Sequence, residues 1–295
     1  MIATRLMGGL GNQMFQYALA RRLAHDHHTT PVMDMVFFDT IAESDTPRQY
    51  ELDCFAVQKH VLRPSQRPPE DEARYLGKRG KLRLISDRLA GRAWTIYREK
   101  HHHFDPSALR VRDGAYLIGY WQTEKYFAPI RDILLKEFTV IDPPKGRNKV
   151  TLKQIQNTAT SVSLHVRRGD YVSNVHANKF HGTKGQDYYD AALAALKKKG
   201  VTNPTIFVFS DDPQWCKKNL KFADTTVYVE GNKKGHEDMR LMQHCRHNII
   251  ANSSFSWWAA WLNQHPDKIV VAPKQWFNDP TANTKDVLPS SWLQV

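Results

Sequence analysis

Ser161-Val162-Ser163-Leu164 alternates small polar and apolar residues and runs straight into His165-Val166-Arg167-Arg168-Gly169-Asp170-Tyr171-Val172. The alternation predicts a strand heading into a core. The two arginines then arrive where that strand ends, and Gly169 lets the backbone turn sharply after them. Two fixed cations, an imidazole and a carboxylate at the carboxyl end of a strand are costly for a purely structural purpose. In open α/β sheets that edge is where ligands sit. Arginine is always charged and grips phosphate oxygens with a planar fork of donors, so a phosphorylated ligand is the natural guest. The plainer alternative is that Arg167 and Arg168 are solvated or pair with nearby acids.

Toward the carboxyl terminus the alternation of strands and helices is clear. A helix is predicted over 186–199, and Thr205 to Ser210 is an almost unbroken apolar run of the kind found in buried parallel strands. It ends in Asp211-Asp212-Pro213. A short strand follows over 226–229, a helix over 236–247, a strand over 248–251, and a last strand over 268–272. Asn252-Ser253-Ser254-Phe255-Ser256 is the turn into a helix whose apolar side carries Trp257, Trp258, Trp261 and Leu262, read as core. Such a series makes a doubly wound half. Its strand ends bring the arginines, Asp211-Asp212 and the serine turn to one edge. Ser253 and Ser254 at a helix start can offer hydroxyls and free amides to a phosphate. Asp211 and Asp212 suit ribose hydroxyls, with helix capping as the alternative. Asp238 or Glu237 suits the amino and imino groups of a guanine. Together these point to a nucleoside diphosphate site.

Toward the amino terminus, Ile2 to Leu6 reads as a strand, followed by Met7-Gly8-Gly9-Leu10-Gly11-Asn12-Gln13. The glycines permit a tight turn and close ligand approach, and Asn12 is a candidate cap for a helix reaching about His27, with Phe15, Ala18, Leu19 and Leu23 inward. This is either a cradle for an anion or polar ligand or a plain βα turn. It lacks the lysine and spacing of a P-loop and does not fit the dinucleotide fingerprint. A strand is expected over 31–39 and another over 116–121, then an amphipathic helix over 127–138. Residues 40–115 are the least readable. The stretch 142–148 has the composition of a linker, so a division is placed near residue 150, giving domains 1–150 and 151–295.

The chain of 295 residues carries a net charge of +12, which admits nucleic acid, an anionic membrane or a small phosphorylated substrate as partner. The basic excess gathers in 59–100 without the interleaved aromatics of a single-strand groove. No nucleic-acid partner is expected. That region reads as a solvated arm or surface patch, with peripheral membrane contact as the lesser alternative. The three cysteines lack metal-ligand spacing and read as apolar fillers in a reducing compartment. No apolar run is long enough to span a bilayer and no leader pattern opens the chain. The expected location is cytoplasmic, or peripheral on the inner membrane. His101-His102-His103 would point to alternate sides of an extended chain, and no metal site is expected there.

The motifs Gly8-Gly9-Leu10-Gly11-Asn12-Gln13-Met14-Phe15-Gln16-Tyr17-Ala18, His165 to Val172 and Asn252-Ser253-Ser254-Phe255-Ser256-Trp257-Trp258, in this order, resemble those of the bacterial α-1,2-fucosyltransferases. The resemblance covers most of the chain, least of all 40–115. It implies a GT-B fold, two Rossmann-like α/β domains facing across a cleft, with the acceptor mostly on the first and the donor on the second. It implies inverting transfer of fucose from GDP-fucose to the 2-hydroxyl of a terminal galactose on a glycan. Arg167 would hold the β-phosphate, with Arg168 adding charge, and His165 would contact the nucleotide. Asp238 would read guanine, Ser254 with Phe255 would close over the diphosphate, and Asn252 and Ser253 would belong to the donor site. Asn12 and Gln13 would lie at the reacting centre from the opposite domain, with Gly11 among the substrate-binding residues. Asp170 would either take the acceptor proton or orient Arg167. No cofactor is expected, because arginines and helix amides can stabilise the leaving group and Asp211-Asp212 does not match the metal-binding Asp-x-Asp.

Overall fold

The computed structural model describes residues 1–39, 47–68, 86–87, 94–169, 182–279 and 281–295. The chain forms two compact units, Met1–Phe138 and Thr139–Val295. The division comes before the proline- and glycine-rich stretch at 142–148, and residue 150 lies inside a helix of the second unit. Each unit is α/β with an all-parallel sheet, the class the strand-helix alternation predicts.

The first unit holds β1 (Ile2–Arg5), α1 (Leu10–Asp26), β2 (Pro31–Asp34), α2 (Val36–Asp39), β3 (Thr95–Arg98), β4 (Ala115–Ile118) and α3 (Arg131–Glu137). Its strand order is β2-β1-β4-β3, all parallel. The predicted face of α1 is in place: Phe15, Ala18, Leu19 and Leu23 are fully buried. The strand expected over 31–39 stops at Asp34, whose Oδ1 accepts from the Val36 amide at 3.0 Å. That local bond diverts the backbone into the turn of α2, as short acidic side chains tend to do. The helix expected over 127–138 is shortened to α3 because Pro129 lies in a 3-10 turn just ahead of it. Sequence reading missed β3, an edge strand with a half-exposed, charged pattern and hence no clear period.

The second unit contains α4 (Gly146–Asn157), β5 (Ser161–Val166), α5 (Gln186–Lys198), β6 (Thr205–Ser210), α6 (Pro213–Asn219), β7 (Thr225–Val229), α7 (Gly235–Gln243), β8 (His247–Ile249), α8 (Ser254–Leu262), β9 (Val270–Ala272) and β10 (Leu293–Gln294). Its order is β10-β9-β8-β5-β6-β7, again all parallel. Val162, Leu164, Ile206, Val208 and Ile249 pack against Tyr189, Ala192 and Leu196 of α5. Trp257, Trp258 and Trp261 are core as expected, and the Trp257 indole donates to the Val287 carbonyl at 2.8 Å. Cys216 and Cys245 are buried and Cys54 is half-buried, all three free. The linker-like stretch in fact starts α4, a helix missed because it buries only Ile155.

Candidate functional site

In the second sheet the chain proceeds from β5 to β6 and β7, then returns to lay β8 on the other side of β5. Beyond the carboxyl ends of β5 and β8 the connections diverge, which opens the crevice where such sheets take their ligands. The arginine motif leaves β5 on one side of this crevice and the serine turn leaves β8 on the other. Ser253 is the N-cap of α8 but makes no side-chain capping bond. The Ser254, Phe255 and Ser256 amides lie in the first turn of α8, where the helix provides no acceptors. Ser253 is buried, whereas Ser254 and Phe255 are partly exposed. A helix start whose N-cap hydroxyl makes no capping bond suits an anionic ligand.

The arginines are not free. Arg167 Nη1 lies 2.8 Å from Asp211 Oδ2, and Asp211 Oδ1 accepts from the Arg168 amide at 2.9 Å. The Arg168 guanidinium sits 3.7 Å over the Trp215 ring and 3.4 Å from Asp212 Oδ2. Asp212 also caps α6 through the Trp215 amide at 3.1 Å. Asp212 thus caps a helix, as the plainer alternative has it, and Asp211 pairs with Arg167, the plainer alternative for that arginine. Gly169 matters for packing, since a Cβ there would come within 2.5 Å of Asp211 Oδ2. Such pairing fixes the planes of the guanidinium groups at the end of β5.

His165 is 5% exposed, and burial together with Arg167 pulls its imidazole down to about 3. It is therefore neutral at physiological pH. Its ring centroid lies 5.4 Å from that of Phe255, and among the described residues its Nδ1 has no partner. A Cβ on Gly235 would lie 3.2 Å from the Phe255 ring, so the start of α7 closes against the start of α8. Asp238, in the first turn of α7, accepts from Asn232 Nδ2 at 2.6 Å. Burial pushes its carboxyl up to about 6. Glu237, the other guanine candidate, is held by Asn148 (3.2 Å) and Arg240 (3.3 Å). Asn252 is 2% exposed, and its Nδ2 donates to the Gly182 and Trp276 carbonyls. It braces two segments of the fold rather than presenting that donor to a ligand. Asp170 lies outside the described residues, as does most of the basic 59–100 region.

The first unit has the corresponding crevice between β1 and β4, and it is filled differently. Gly9, not Asn12, is the N-cap of α1, and the Leu10 amide donates to Glu51 Oε2 at 2.9 Å. A carboxylate of the chain itself thus occupies the place a bound anion would take. Gln13 is fully buried: its amide group donates to the Gly8 and Gln49 carbonyls and its oxygen accepts from the Glu51 amide. Gly11 is also buried. Of these three residues only Asn12 stays partly exposed, its Oδ1 accepting from Gln122 Nε2 at 2.9 Å.

The sequence profile of glycosyl transferase family 11 matches residues 70–295. An α-1,2-colitosyltransferase of Escherichia coli is 34% identical over 100% of this chain and 98% of its own. The chain belongs to glycosyl transferase family 11. Another Escherichia coli relative, the O-antigen biosynthesis glycosyltransferase WbnK, is 35% identical, covering 98% of this chain and 99% of the relative. A mouse galactoside 2-α-L-fucosyltransferase, Sec1, is 26% identical over 89% of this chain and 64% of its own length. Family membership makes the protein a glycosyltransferase, and the profile spans both the arginine motif and the serine turn. The glycine turn at 8–13 lies before the matched residues.

Residues that sequence reading missed are those acting through others. Trp215 supports Arg168, Gly235 admits Phe255, and Asn232 holds Asp238. None carries a local pattern, because each meets its partner only in the folded chain. No group of three metal-capable side chains occurs among the described residues.

Proposed function

We propose that the protein is an inverting glycosyltransferase of the GT-B type that moves L-fucose from GDP-β-L-fucose to the 2-hydroxyl of a terminal galactose, forming an α-1,2 linkage. The observation that carries this reading is at the end of the second sheet: anchored guanidinium groups follow β5, a helix start whose N-cap makes no side-chain capping bond follows β8, and the His165 and Phe255 rings lie 5.4 Å apart between them. The name of the mouse relative supports the sugar, the linkage and the acceptor.

In the reaction the acceptor oxygen attacks the anomeric carbon from the face opposite GDP. The bond to the β-phosphate oxygen breaks, its electron pair leaves with GDP, and the hydroxyl proton passes to a base. Arg167 and Arg168 with the first amides of α8 would stabilise the charge growing on the diphosphate, the kind of preorganised field that contributes most where water is excluded. His165, kept neutral, would contact the nucleotide without adding charge, and Asp238 would accept from guanine. Ser253, Ser254 and Phe255 would border the diphosphate. Asn12 would meet the acceptor on the first unit, and Asp170 is the carboxylate nearest the arginines in sequence for the proton. The donor needs no metal in this scheme.

A second reading changes only the sugar. The relative matching the whole chain is named for colitose, which differs from L-fucose in lacking the 3-hydroxyl. Incubation with GDP-fucose, GDP-colitose, GDP-mannose and UDP-galactose, each with galactosides and with EDTA, followed by linkage analysis, tests both. The first reading expects an α-1,2-fucosyl galactoside, formed equally well with EDTA. Product from GDP-colitose alone would establish the second, and loss of any preference for guanine would overturn both.

A further inference from the structure

At the carboxyl edge of the first sheet, β4 ends in a turn held by groups from outside it. Trp121 takes a φ of +57°, a left-handed conformation that crowds Cβ against the next carbonyl and is disfavoured for a residue with a side chain. Its indole is buried beside Tyr97 and Tyr126. Glu99, immediately after β3, accepts from the Tyr120 amide at 2.7 Å and from the Trp121 amide at 2.8 Å, one bond to each carboxylate oxygen. Gly119 leaves the room for this: a Cβ there would fall 2.4 Å from Glu99 Cβ. The Gly119 carbonyl in turn accepts from Gln16 Nε2 of α1 at 3.2 Å.

Burial raises the Glu99 carboxyl above the usual carboxylate range, and among the described residues no cation faces it. An acid that the fold disfavours is thus kept where it fixes a strained turn. What that turn delivers is Gln122, whose Nε2 donates to Asn12 Oδ1 at 2.9 Å. With its oxygen engaged, Asn12 has Nδ2 to offer. This nitrogen would stand 2.6 Å from a Cβ on Gly8, a residue at φ +71° that carries none. Among the described residues Asn12 Nδ2 has no acceptor.

We propose that Glu99 and Gln122 are positioning residues for Asn12: Glu99 holds the left-handed turn, and Gln122 orients the carboxamide so that Nδ2 is presented to a sugar hydroxyl of the acceptor. This rests on the reading that Asn12 meets the acceptor. The test is a double-mutant cycle on transfer kinetics, with GDP affinity measured beside it. Gln122→Ala should lower kcat or raise the acceptor KM about tenfold, within the loss that a small misplacement causes, and leave the Kd for GDP unchanged. In the Asn12→Ala background the same change should have no further effect, because the group it orients is gone. Glu99→Gln should behave likewise. If Gln122→Ala fails to fold, Gln122→Met fills a similar volume without charge or donor, and should give the same cycle.

Additive effects in the Asn12→Ala background, or a GDP Kd that moves in step with the loss of activity, would overturn the positioning role while the transferase reading stood. Failure of the wild-type chain to transfer sugar from any GDP donor would instead remove the functional reading, and the positioning role with it.

Discussion

The two units answer the same architectural opportunity in opposite ways. Each has a parallel sheet whose strand order reverses, and each places a helix start at the reversal. In the first unit that helix start is already neutralised, with Glu51 bound to the Leu10 amide and Gln13 closing the turn from within. In the second, the N-cap serine makes no capping bond and two guanidinium groups stand on the neighbouring strand end. A helix start is a generic electrostatic feature, so its presence says little. Whether the chain supplies its own anion decides whether it can take one from outside. By that criterion the second unit is the one proposed to take the diphosphate, and the first, with the partly exposed Asn12 carboxamide at its edge, is the one proposed to meet an uncharged hydroxyl.

The largest test of this contrast is Arg167→Ala. It removes the guanidinium and leaves Asp211, an uncompensated carboxylate, at the crevice. Both changes oppose binding of an anion. Transfer should fall by about a thousandfold, comparable with losing a principal donor to developing charge, and GDP affinity should collapse with it. Calorimetry with GDP and a product assay check both. Retention of both would end the comparison, since the arginine edge would then be no different from the glycine turn.

A smaller effect separates two groups that would be confused by habit. A fall in GDP affinity near pH 6 would ordinarily be assigned to a histidine, and His165 stands at the site. Burial and Arg167 have moved its imidazole to about 3, so it stays neutral through that range. Asp238, raised to about 6, is the group that changes. In the proposed site the Asp238 carboxylate would accept from guanine and the protonated acid would accept less well, so GDP should bind more weakly as pH falls through 6. For the free protein the sign is opposite. The folded state holds this proton more tightly than the unfolded chain does, so stability is gained as pH falls from about 6 toward 4. Asp238→Asn should abolish the binding limb and raise the melting temperature at pH 7. Persistence of the limb in Asp238→Asn would assign it elsewhere.

Much of this site was legible because charge and strand periodicity coincide. Thr205–Ser210 is apolar enough to be a buried strand on its own, and the arginines sit where the neighbouring alternation stops. Parallel pairing then forces the ends of β5, β6 and β8 onto one edge. Partner choice was not legible. Nothing local tells whether Asp211 meets ribose or Arg167, and nothing near Gln13 says that its carboxamide is spent on a backbone brought from residues 49–51. The edge strand β3 and the helix α4 escaped notice for a related reason: each buries so little that its apolar period is faint.

The smallest expected effect probes the other side of the comparison. Glu51→Gln keeps an oxygen within reach of the Leu10 amide but removes the charge that complements the start of α1. A carboxylate in that position contributes typically about 0.3–1 kcal/mol, and up to ~2 when partly buried. The variant should therefore unfold with a melting temperature lower by a few degrees. Its Kd for GDP should not change, because the proposed diphosphate site belongs to the other unit. Nor should the first unit begin to bind diphosphate. The Gln13 lattice still closes the turn, and the guanidinium beside it, Arg48 at 3.4 Å from a Cβ on Gly9, is one cation where the other crevice has Arg167 and Arg168. A second GDP-binding event in titrations of Glu51→Gln would mean that the carboxylate alone had excluded the ligand. The difference between the two helix starts would then reduce to one charge instead of to the way each crevice is built.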